Sequence, residues 1–113
     1  MSQRVPLLRD ALRLLASPAQ SQLDHLSELG VPGGVDELGL EFDDIASAAE
    51  DMVESGELSP SQFETMVPLR EKLTAMSGPK HAALWTAEAL FQSPEWNGVR
   101  ALARNALTAI EGS

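Results

Sequence analysis

The side chains of this chain that could do chemistry are carboxylates and two histidines. None of its 113 residues is cysteine, so thiolate nucleophiles, disulfides and Cys-ligated metals are excluded. A carboxylate metal site inside a helical bundle wants Glu-x-x-His on two helices. The residues three before His25 and His81 are Gln22 and Gly78, so both histidines read as ordinary surface residues. No Gly-x-Ser-x-Gly elbow, phosphate-cradling loop or dinucleotide fingerprint occurs. The Gly33-Gly34 pair lacks the Lys and Ser/Thr that a phosphate loop needs after it. The expectation is no catalytic residue, no metal, no cofactor, and so no enzyme.

The carboxylates are distributed unevenly. Between Arg13 and Arg70 there is no Lys or Arg, while twelve of the 17 acids fall there. Nine of those twelve lie in residues 36–57: Asp36, Glu37, Glu41, Asp43, Asp44, Glu50, Asp51, Glu54 and Glu57. With net charge −9, the chain repels nucleic acid and anionic membrane and attracts basic proteins. A calcium site would need oxygens converging from a loop with a central Gly, and that spacing is missing.

The elements that carry these groups read as helices. The apolar fraction of 43% is periodic, which argues against disorder, and Val, Ile, Thr and aromatics are too few for a sheet. Ser17-Pro18, Ser59-Pro60 and Ser93-Pro94 each precede an amphipathic run. A Ser hydroxyl accepts from a first-turn amide, and Pro beside it has no amide to leave unpaired. Gln20 and Gln62 would complete capping boxes. Gly30, Gly56 and Gly78 close the runs. Six helices are predicted over about 5–16, 18–29, 36 or 41 to 55, 60–77, 80–92 and 94–111. Helix two should turn Ala19, Leu23, Leu26 and Leu29 inward, and Pro68 should kink or break helix four near Met66–Val67.

On helix three, Asp43, Glu50 and Glu54 share one sector with Asp44 and Asp51 beside it, opposite Ile45, Ala49 and Met52. This face is either a solvated surface or a docking site for a basic protein. Helix five is apolar almost all round and should lie centrally in the bundle. Trp85 points away from its Leu84, Ala87, Phe91 stripe, as an exposed interface anchor would. Trp96 falls with Val99, Ala103, Ala106 and Ile110 and reads as core. Arg100 and Arg104 share a flank and are too few to hold nucleic acid.

The segments Asp36-Glu37-Leu38-Gly39-Leu40-Glu41-Phe42-Asp43-Asp44 and Met76-Ser77-Gly78, with Leu84-Trp85-Thr86 and Glu95-Trp96 to Val99-Arg100, resemble small acidic all-helical bacterial proteins of the toxin-immunity type. That resemblance spans most of the chain. It implies a cytoplasmic protein that binds and blocks a cognate toxin domain, often a basic nuclease.

The expected molecule is an all-α, compact single-domain bundle of about five to six helices over residues 1–113. It is expected to bind a basic protein partner, with neither nucleic acid nor membrane as a ligand. Its expected contact residues are Asp36, Glu37, Glu41, Asp43, Asp44, Glu50, Asp51, Glu54 and Trp85. The alternative is a helical scaffold or homodimerisation module with helix five as the contact.

Overall fold

The computed structural model describes residues 4–30 and 34–111, so of the expected 31–34 loop only Gly34 is among them. Those residues form seven α-helices and one 3-10 segment, with no strand among them. The helices are α1 (Arg4–Ala16), α2 (Ala19–Leu29), α3 (Asp36–Ala46), α4 (Ala49–Glu54), α5 (Pro60–Ala75), α6 (Ala87–Gln92) and α7 (Pro94–Glu111); the 3-10 segment is Pro79–Leu84.

α7 is the axis of the packing. It lies against α1 and α5, and α1 in turn packs on α3. The reason is legible in its spacing: Trp96, Val99, Ala103, Ala106 and Ile110 make one buried stripe, and Trp96 is fully enclosed. α1 answers with Leu8, Leu12 and Leu15, and α5 with Met66, Leu69 and Leu73. α3 adds Leu38 and Phe42, which bring the acidic segment onto the core by its apolar side.

Helix starts and stops follow local chemistry in most places. Ser59 and Gln62 form the reciprocal capping box at the head of α5. Ser93 accepts from the Glu95 amide at the head of α7. Gly30, Gly56 and Gly78 all have positive φ, where a side chain would be strained. Ser17 departs from expectation. Its hydroxyl donates back to the Leu14 carbonyl, Pro18 takes the N-cap position of α2 without a side-chain cap, and Gln20 bonds Asp24 instead of closing a box.

Four further expectations are corrected. The long acidic helix is two helices, because the Ser47 hydroxyl donates to the Asp44 carbonyl at 2.9 Å and the chain turns through Ser47 and Ala48. The helix containing Pro68 does not break, since Pro68 lies on its exposed side, where water can serve the Glu64 carbonyl that loses its amide partner. Helix two buries Gln22 completely and leaves Leu29 44% exposed.

The expected central fifth helix does not form. Its first half is the 3-10 segment with no buried residue, and its second half is α6, restarted by the Thr86 hydroxyl accepting from the Ala89 amide at 3.1 Å. The indole Nε1–H of Trp85 donates to the Met76 carbonyl at 2.7 Å, which holds the chain out of a regular helix between the two pieces.

Candidate interaction surface

The nine acids of residues 36–57 divide into a paired set, an exposed set and the partly buried Glu37 once the neighbouring helices are in place. Three are paired. Arg4, at the start of α1, donates to Asp51 at 2.6 Å and also to Glu57. These carboxylates, Glu57 first and then Asp51, raise the Arg4 guanidinium above its ordinary pKa. Glu41 lies 3.0 Å from His25 Nε2 and so ties α3 to α2. The structure thus supplies partners from other elements, Arg4 from α1 and His25 from α2, which helix-face arithmetic on α3 alone does not reveal.

The other set is Asp36, Asp43, Asp44, Glu50 and Glu54. All five are exposed, and among the described residues none has a cation within ion-pairing distance. Glu37 is partly buried beside them. The apolar sides of α3 and α4 point to the core through Leu38, Phe42, Ala49 and Met52, so these carboxylates are left outside.

Two grooves flank α3. One has a volume of about 450 Å³ and runs between α3 and α5, with Phe42 and Leu73 among its lining residues and Trp85 in its wall. The other, about 610 Å³, lies between α1 and α3 and is lined by Leu7, Ala11, Leu14 and Ile45 with Asp10, Asp44, Glu41 and His25. Asp43 borders the first groove and Asp44 the second, so α3 forms an acidic crest between them.

Trp85 is not a freely exposed anchor. Its ring is partly buried and meets Trp96 edge-on, with centroids 5.2 Å apart and planes at 84°. It also lies over Gly39, where a Cβ would stand only 3.2 Å from the ring.

The His25–Glu41 pair is a histidine joined to a carboxylate at a groove, which is the start of an acid–base site. The groove it borders is lined by no hydroxyl, thiol or amine, and the pair joins α2 to α3. His81 lies in the 3-10 segment without an ion-pairing carboxylate among the described residues. No group of three or more His, Cys, Asp or Glu side chains among the described residues is arranged to hold a metal. No described helix is long and apolar enough to cross a membrane.

Three interacting residues escaped the sequence reading. Arg100 is buried and donates to Gln22, to the Leu90 carbonyl and to Asn97. Gly39 had no signal beyond being a helical glycine. Arg4 could have been found by asking which distant cation answers an acidic helix. No family model, curated protein or solved structure matches this chain.

Proposed function

We propose that this protein is a non-enzymatic binding module, an immunity-type inhibitor that meets a basic toxin domain in the cytoplasm through the exposed carboxylates of α3 and α4. The observation that carries this reading is the division of the acids. Those joined to Arg4 and His25 tie helices together, while Asp36, Asp43, Asp44, Glu50 and Glu54 remain unneutralised on one short segment. Glu50 and Glu54, four residues apart on α4, repel by a few tenths of a kcal/mol. A partner bearing Lys and Arg removes that repulsion, and the long-range field speeds encounter. Carboxylates so placed also imitate phosphates, which suits a nuclease as target.

A titration at low salt against the product of the adjacent gene tests this. Binding that disappears when Asp43, Asp44, Glu50 and Glu54 become Ser supports it, and no binding at low salt rejects it.

One observation favours a second reading as a scaffold or homodimer. Phe91 on α6 is 50% exposed, an aromatic ring that a second copy of the chain could cover. Sedimentation across a concentration range decides: a monomer at all concentrations rules it out.

A further inference from the structure

The groove between α3 and α5 has two walls of the same helical spacing. Asp36, Gly39, Leu40 and Asp43 stand at i, i+3, i+4 and i+7 on α3; Arg70, Leu73, Thr74 and Ser77 repeat that spacing along α5 and the turn after it. Each wall is therefore about two helical turns long, roughly 10 Å. The two helices share no extensive packing, and the gap between them is the groove. Phe42 and Leu73 are buried beneath it, and Trp85 is fixed at its side by the Met76 carbonyl and the edge of Trp96. Leu40 is 50% exposed midway along the acidic wall, and Asp36 and Asp43 stand at the two ends of that wall.

We infer that this groove is the seat of the partner and that its occupant is an amphipathic basic helix. The inference rests on the binding function proposed above and locates it. A large apolar residue of the partner enters between Leu40, Phe42, Leu73 and Trp85. Lysine or arginine side chains one turn before and after it reach Asp36 and Asp43. This is recognition of a helix in a groove, with the apolar anchor supplying affinity and the paired charges setting register. The lone Arg70 and the hydroxyls of Thr74 and Ser77 make the opposite wall polar, so only one edge of the bound helix needs to be basic. The groove between α1 and α3 has similar spacing along Leu7, Asp10, Ala11 and Leu14, but its lining holds His25 among the acids and neither Phe nor Trp, so it lacks the aromatic floor and wall that Phe42 and Trp85 give the first groove.

The test uses the full chain labelled with 5-fluorotryptophan, which gives separate fluorine resonances for Trp85 and Trp96; a Trp85→Phe variant assigns them. The probe is an alanine-based helical peptide with Lys, Leu and Lys at i, i+4 and i+7, at low salt. Its counterpart carries Glu in place of Lys. The lysine peptide should shift Trp85 and leave Trp96 nearly still, and the glutamate peptide should do neither. Joint Asp36→Asn and Asp43→Asn substitution, or Leu40→Ser alone, should weaken binding about tenfold or more. Joint Glu50→Gln and Glu54→Gln substitution should change it less than about threefold.

If the α4 pair abolishes binding and the α3 variants do not, the groove is overturned while the acidic face stands as a docking surface. Equal binding of both peptides, or no Trp85 shift at low salt, also overturns the groove. The titration with the adjacent gene's product separately decides the acidic-face reading. The side chains of Asp36, Leu40, Asp43, Glu50 and Glu54 are all exposed, and unchanged thermal melting of each variant excludes loss of fold.

Discussion

Arg100 reaches across from α7 to Gln22 on α2, its Nη1–H donating to Oε1 at 2.8 Å with both side chains buried. Gln22 in turn donates to the Leu14 and Leu15 carbonyls at the end of α1, and Arg100 donates to the Leu90 carbonyl at the end of α6. One cation and one amide therefore satisfy the carbonyl ends of two helices and join four elements. Burial lowers the pKa of Arg100, yet the guanidinium stays charged because so many acceptors face it.

Changing Gln22 to Leu should destabilise the fold by about 2–3 kcal/mol, since a buried guanidinium loses an acceptor and two carbonyls lose a donor. Arg100→Met should cost a similar amount. The double variant should be less damaged than the sum of the two, a coupling that urea denaturation of all four proteins measures.

Gly39 lies in mid-helix, where alanine would ordinarily gain about 1 kcal/mol. Its Cβ would press on the Trp85 ring at 3.2 Å, and that ring is held by a hydrogen bond and by Trp96. Gly39→Ala should therefore fail to stabilise the protein and should displace the Trp85 indole proton resonance. A gain of the full propensity value, with that resonance unmoved, would show that the ring is free to shift.

These two clusters mark where the sequence stops being informative. The stripe of Trp96, Val99, Ala103, Ala106 and Ile110 is readable because periodicity is a local property and α7 is long. The Gly30, Gly56 and Gly78 stops are readable for the same reason. The 80–92 segment looked helical by composition, but Trp85 is drawn to Met76 and Trp96, contacts made by folding and unseen in local propensity. Gln22 and Arg100 are 78 residues apart, and neither type suggests burial by itself. The acids of residues 36–57 are visible as a list; which of them have partners depends on Arg4 and His25 arriving from α1 and α2.

Glu95 sits in a small local trap. The Ser93 hydroxyl donates to its carboxylate at 2.7 Å, and its own backbone amide adds to the effect, so its pKa lies below the ordinary value. A lowered folded pKa means that the contribution to stability is present above the unfolded value and fades as pH falls through the folded one. A carbon-13 titration should show Glu95 titrating below the ordinary glutamate value, and Ser93→Ala should move it back up.

The Arg4 bridges join the first turn of α1 to α4 and the turn after it. Arg4→Gln should lower the urea midpoint, and added salt should narrow the difference. Arg13→Gln should matter much less, because Arg13 is 56% exposed against 33% for Arg4, and its partner Glu111 is 41% exposed against 17% for Glu57.

The central claim concerns the unpaired carboxylates of α3 and α4. Its most direct test is stopped-flow association with the product of the adjacent gene, followed from low to high ionic strength. The wild type is compared with a variant in which Asp43, Asp44, Glu50 and Glu54 are Ser. The account predicts fast association for the wild type, falling steeply with salt. The variant should associate at least about tenfold more slowly, with little salt dependence and an unchanged melting temperature. Equal rates for the two proteins at every ionic strength, or no association at low salt, would contradict it.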